Sequence, residues 1–169
     1  PYTFTVTAAN AVGAGSASSA SNSVTPDYCA STGPSSQGSD YFTNFTASGS
    51  AGGINNTSTF SANGYGNFTA QSVSQVVGST VTYSAVSPGI GNGSTFAIFV
   101  DWNQDGDFLD ANETAVSLGV GTQISSNPSG SFTVPAGATI GSTRMRVIIK
   151  DAATAIVCCN TALANSETE

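Results

Sequence analysis

Histidine is absent from all 169 residues. That excludes Ser-His-Asp and Cys-His catalysis, and zinc or haem sites built on imidazole. Cations are nearly absent too: Arg144, Arg146 and Lys150 are the only three, and they sit within one short stretch. No basic surface is left to follow a phosphate backbone, so nucleic acid is excluded as a partner. No apolar run is long enough to span a membrane as a helix, and no signal peptide is visible. Charged residues make up 8% against 39% apolar, so solubility rests on Ser, Thr, Asn and Gly. That balance suits a secreted or cell-surface protein better than a cytosolic enzyme. The length allows one good core and little more.

What is present is short-range alternation. No segment keeps a 3.6-residue apolar period, so helix is expected to be nearly absent. Runs of alternating residues separated by Gly, Asn and Pro predict strands at 2–7, 41–47, 67–71, 79–86, 95–102, 114–118, 130–134 and 143–150. Turn signals stand between them at Pro88-Gly89, Asp105-Gly106 and Asn127-Pro128. The expected fold is all-β: an antiparallel β-sandwich of jelly-roll or Ig-like type with an extended N-terminal β-segment. A boundary near Pro26 divides residues 1–26, terminal strands and linker, from the main domain at 27–169.

Five of the ten acids fall between Asp101 and Glu113. The order is Asp101-x-Asn103-x-Asp105-Gly106-Asp107, then Asp110 and Glu113. Oxygen side chains at alternate positions, with a glycine at the tight turn, are what a calcium loop needs, since calcium takes six to eight oxygens. Asp101, Asn103, Asp105 and Asp107 are the leading ligands, and Asp110 or Glu113 supplies the closing carboxylate. The twelfth position is Asn112 and the flanks read as strand, so this is not an EF-hand. Trp102 and Phe108 are expected to pack beside the loop and couple the metal to the fold. A solvated hairpin without metal and a catalytic carboxylate pair are the competing readings.

The cysteines are Cys29, Cys158 and Cys159, without the spacing of a zinc or redox site. A disulfide from Cys29 to one of the adjacent pair would tie the start of the main domain to its end. The remaining cysteine is then a thiol, joined to its neighbour or linked to another molecule; a fully reduced buried set is the other option. Alternation over 144–150 puts Arg144, Arg146 and Lys150 on one face and Met145, Val147 and Ile149 on the other. The arginines are expected either to pair with Glu167, Glu169 or the acidic loop, or to face solvent.

Two resemblances add to this. PYTFTVTAANAVGAGSASSASNSVTP resembles the last two strands of a fibronectin type III domain. Residues 27–169 resemble the GEVED domain of secreted bacterial surface proteins of Bacteroidota type. Tyr28-Cys29, Gly64-Tyr65-Gly66-Asn67-Phe68-Thr69, the stretch AIFVDWNQDGDFLDANE at 97–113, Phe132–Ala138 and Ser142–Val147 carry it. The name-giving motif is reduced to Ser166-Glu167-Thr168-Glu169. Against that family the chain stops before its final strand, which would leave a sheet edge open.

Two lone strands do not make a sandwich. Residues 2–8, with Tyr2, Phe4 and Val6 on one face, are therefore expected either to add to the sheet of a neighbouring subunit, building a filament of identical copies, or to be the trimmed end of a multidomain chain. Together these readings describe a non-enzymatic structural or adhesive module with calcium as its cofactor. A carbohydrate-binding accessory module, with surface glycans as partners, is the alternative.

Overall fold

The computed structural model describes residues 3–22, 28–33, 39–90, 93–159 and 166–169. Tyr2 and the boundary at Pro26 lie outside the described residues. Among the described residues ten strands follow in order: β1 (Ala9–Asn10), β2 (Gly13–Ala14), β3 (Asn44–Ser48), β4 (Gly53–Thr57), β5 (Thr80–Val86), β6 (Thr95–Val100), β7 (Thr114–Leu118), β8 (Ser129–Thr133), β9 (Met145–Lys150) and β10 (Ser166–Thr168). Helix among the described residues is one 3-10 turn, Ala62–Gly64.

Two four-stranded sheets, ordered β10-β9-β6-β7 and β4-β3-β5-β8, form the body, and every pairing is antiparallel. The inward residues of each strand meet in one core. Phe45 and Ala47 (β3), Val81, Tyr83 and Ala85 (β5) and Phe132 (β8) face Phe96, Ile98 and Val100 (β6), Val116 (β7), and Val147 and Ile149 (β9). Burying each large apolar side chain contributes roughly 1.5–3 kcal/mol, so this interface is the main reason the sheets close on each other. The chain is a β-sandwich.

The outward face of the β3-β5 sheet explains how so uncharged a protein stays wet. Asn44, Thr46 and Ser48 lie in register beside Thr57, Asn55 and Gly53 on one side and Val86, Ser84 and Thr82 on the other. Val86 and Gly53 apart, these residues are polar, and none of them is ionised.

The other sheet differs. All six residues of β6 are buried, because this sheet is covered on its outer face as well. Ala97 and Phe99 of β6 and Ile148 of β9 pack there with Phe108, Ile156 and Cys158 in a second core, against which Tyr28 and Cys159 rest. A disulfide between Cys29 and Cys159 staples the covering segments together, and Cys158 is a buried thiol.

Arg146 is buried here beside Ile148, so the solvent-facing expectation is corrected. Its guanidinium donates to the carbonyls of Cys158 (2.6 Å) and Cys29 (2.8 Å) and lies 4.8 Å over the Phe108 ring. The expected pairing with Glu167 and Glu169 is corrected too. Oε2 and Oε1 of Glu167 accept the amides of Phe42 and Ser61, each at 2.6 Å. Glu169 accepts from Ser58 and Asn56. Both glutamates thus pin β10 to the β3-β4 side of the sandwich.

Two strand expectations and one about a sheet edge are also corrected. Residues 67–71 form a turn, since Asn67 Oδ1 takes the amide and hydroxyl of Thr69, an Asx arrangement that competes with a ladder. Residues 3–8 have no regular ladder: the amides of Phe4 and Val6 donate to the hydroxyls of Ser21 and Ser18, which stand where a strand's carbonyls would be. The edge beside β9, expected to be open, is occupied over Val147–Lys150 by β10 and Glu169. Close approach makes this docking possible, since a Cβ on Gly33 would lie 2.6 Å from the Ser166 carbonyl and one on Gly64 2.7 Å from Gly33 Cα.

Candidate functional site: the acidic loop and its supports

β6 runs out of the core at Val100, and the chain turns at once through residues 101–113 before returning as β7. The turn is built from short polar side chains folding the backbone onto themselves. Asp101 Oδ1 accepts the amide of Gln104 (2.6 Å), Asn103 Oδ1 that of Asp105 (3.0 Å), Asp105 Oδ1 that of Asp107 (3.2 Å), and Asp107 Oδ1 that of Leu109 (2.7 Å). Gly106 has φ +97°, in the left-handed region that glycine adopts without strain, and its amide reaches back to Asp101 Oδ2 at 3.1 Å.

This winding gathers three carboxylates. Oxygens of Asp101, Asp105 and Glu113 all lie within 4.8 Å of one another. Asp101 is 0% and Glu113 1% exposed. Burial pushes the Glu113 carboxyl up from its ordinary value, and the charges of Asp101 and Asp105 add to the push, against amide bonds from Trp102 and Asp110 that oppose it. Three acids crowded in a partly dry place repel one another unless protonated or matched by a cation.

The other expected ligands sit differently. Asn103 is exposed, and its amide tethers Asp105 (3.0 Å) and Asp110 (2.5 Å). Asp110 is exposed on the rim, and Asp107 faces its own backbone turn. Neither belongs to the converging three.

The aromatics flank the loop on opposite sides. Phe108 is buried in the second core, 5.0 Å from Tyr28 and 6.4 Å from Phe99. Trp102 packs toward the sandwich core, 6.2 Å from Phe132, while its Nε1–H donates to the Asn112 carbonyl (3.1 Å) and spans the loop. It also borders a cleft of about 380 Å³ with Asn103, Asp110 and Glu113.

Sequence reasoning missed Tyr28 as part of this site. Its hydroxyl donates to Asp101 Oδ2 at 2.6 Å, and Arg144 lies 4.9 Å over its ring. Burial, then the Asp101 bond and charge, push the phenol up to about 12. The adjacency of Tyr28 to Cys29 was the one available signal, since the disulfide carries both to this face. Thr143, which donates its hydroxyl to the Asp101 carbonyl, was missed as well.

The three converging donors are all oxygen, the ligand type a hard cation such as calcium takes. Asp101, Asp105 and Glu113 are the residues that could hold such an ion, with Asn103 beside them.

The N-terminal segment stands apart. Among the described residues β1 and β2 contact each other and no other strand, and residues 3–22 are exposed throughout. Phe4 and Val6 are 64% and 72% exposed. A groove of about 680 Å³ opens between the two sheets, lined by Phe45, Val81, Trp102, Phe132, Met145 and Val147 among others, next to the part of the β9 edge that β10 leaves uncovered.

A family model for the GEVED domain matches residues 95–169, the stretch from β6 through the acidic loop to β10. Residues 1–94 lie outside that match, both the fibronectin-like stretch at 1–26 and the first part of the expected domain at 27–94. No curated protein and no solved structure matches the chain. The GEVED match and the disulfide fit an extracellular protein, and no helix among the described residues is long and apolar enough to cross a membrane.

Proposed function

We propose that this chain, which carries a GEVED domain at residues 95–169, is a non-catalytic structural or adhesive module of the cell surface. In this reading it is the repeating unit of a fibril, built by strand donation between copies and stiffened by calcium in the acidic loop. The observation that carries it is the exposed hairpin at residues 3–22. A two-stranded ribbon is marginal in water by itself, and this one leaves Phe4 and Val6 uncovered. Among the described residues its pairing uses the backbone of Phe4, Val6 and Ala8, which leaves the Thr3-Thr5-Thr7 edge for another chain. Addition of that edge to a neighbour's sheet would bury the two apolar side chains and repeat head to tail.

Calcium would supply charge compensation to Asp101, Asp105 and Glu113. The protein's own part is to hold the Asp101 carboxylate through the Gln104 and Gly106 amides and Tyr28, its backbone carbonyl through Thr143, and the Glu113 carboxylate through the Trp102 and Asp110 amides, so that loop and second core stiffen together.

Electron microscopy of the purified chain, with and without a calcium chelator, tests this. Filaments that soften or dissociate on chelation, and that a Phe4→Asp/Val6→Asp double variant cannot form, support it. Particles that stay single at high concentration with calcium, and ignore both chelator and substitution, refute it. The cleft beside Trp102 favours a second reading, a carbohydrate-binding accessory module. Retention of the chain on immobilised glycans, lost in Trp102→Ala, would select it.

A further inference from the structure

The three cysteines lie together although only two are bonded. Their sulfurs are all within 4.8 Å of one another, and Sγ of Cys158 is 3.2 Å from Sγ of Cys159, one half of the disulfide. Cys158 is 3% exposed, whereas Cys29 and Cys159 are half-buried. A thiol in van der Waals contact with a disulfide sulfur is positioned for exchange, which proceeds by thiolate attack on one sulfur and departure of the other.

The direction of that exchange follows from Arg146. Its Nη1 lies 3.4 Å from Sγ of Cys29, and the bonds to the Cys158 and Cys29 carbonyls hold the guanidinium in place. A fixed positive charge beside Cys29 stabilises negative charge on that sulfur, and a better-stabilised thiolate is the better leaving group.

We propose that Cys29, Cys158 and Cys159 form a self-contained disulfide-exchange site, in which Cys158 converts the Cys29–Cys159 bond into Cys158–Cys159 and releases Cys29. Cys158 gives its thiol proton to water. Its sulfur forms a bond to Sγ of Cys159 while the Cys159–Cys29 bond breaks, and the electron pair leaves on Sγ of Cys29, which is then protonated. One disulfide is consumed and one is formed, so no oxidant or reductant is needed. The released Cys29 is the more accessible thiol, open to an alkylating reagent or to a sulfur of a second molecule. Its neighbour Tyr28 then loses the covalent hold that keeps the phenol on Asp101.

Alkylation of the folded full-length chain with iodoacetamide at mildly alkaline pH, followed by acid quench and peptide mass mapping, tests the site. The expected result is label on Cys29, together with a 158–159 peptide lacking both thiol hydrogens. In Cys158→Ser, and in Cys158→Ala as a second variant, Cys29 labelling should fall by about tenfold or more, since the internal nucleophile is gone. Arg146→Gln should slow Cys29 labelling while leaving its product unchanged. Label confined to Cys158 with Cys29–Cys159 intact overturns the proposal. So does label on Cys159 with a Cys29–Cys158 linkage, or Cys29 labelling that persists without Cys158.

Discussion

The phenol of Tyr28 donates to Oδ2 of Asp101 at 2.6 Å, across 73 residues of sequence. This bond links the stapled N-terminal segment of the main body to the first residue of the acidic loop. It gives Asp101 a third donor beyond the Gln104 and Gly106 amides.

Tyr28→Phe should therefore lower unfolding free energy by about 1.5–3 kcal/mol, the usual worth of a hydrogen bond to a charged group. Urea unfolding followed by Trp102 fluorescence measures it. A change under half a kcal/mol would mean that Asp101 is held by its amide donors alone.

Calcium added to chelator-treated protein should raise the melting temperature, by the equivalent of about 2.7 kcal/mol at a concentration one hundred times the dissociation constant. Asp101→Asn and Glu113→Gln should each remove most of that rise, and Asp107→Asn little of it. Differential scanning calorimetry across a calcium series gives the comparison. Equal loss in all three variants would argue for a diffuse charge effect rather than a defined set of ligands.

Acidity should affect β10 in the opposite sense to most carboxylates. Burial raises Glu169 to about 7, and it pushes Glu167 upward as well. Each group binds its proton more tightly folded than unfolded, so stability is greatest below the unfolded value near 4.5. It should fall as pH rises toward 7. Glu169→Gln should flatten that slope in a plot of chemical unfolding free energy against pH. A slope unchanged by the substitution would place the titrating group elsewhere.

Cys29→Ser opens a loop of 130 residues and should cost about 2–5 kcal/mol, largely through the freedom regained by the unfolded chain. Thermal unfolding of the variant beside the wild type, both without reductant, checks it. The loss should exceed that in Cys158→Ser, which removes a thiol and leaves the staple.

Legibility in sequence followed local pattern. β5, β7, β8 and β9 could be read within two residues because their inward residues alternate strictly, as in Val81, Tyr83 and Ala85. β6 was found through its apolar run, and the acidic loop through its spacing. β4 was missed because Gly53-Ile54-Asn55-Asn56-Thr57 has little intrinsic strand preference, and pairing with β3 imposes the conformation. β10 is three residues held by buried Glu167, whose partners Phe42 and Ser61 are more than a hundred positions away. The convergence of Asp101, Asp105 and Glu113, rather than Asp107, depends on how the loop winds, and spacing alone does not show which acids turn inward. Burial of Arg146 was equally hidden, because alternation tells which face a residue takes but not whether a second layer covers it.

The Cys29–Cys159 bond also decides how the molecule bears tension. A pull applied between the hairpin at residues 3–22 and β10 travels through the disulfide and bypasses every strand from β3 to β9. The enclosed 130 residues would otherwise pay out roughly 430–470 Å of contour when extended at about 3.3–3.6 Å each. With the bond intact that length is locked away, and only the short segments outside the staple can stretch. Single-molecule extension should accordingly show a short, stiff tether that lengthens by hundreds of ångströms once a reductant cuts the link.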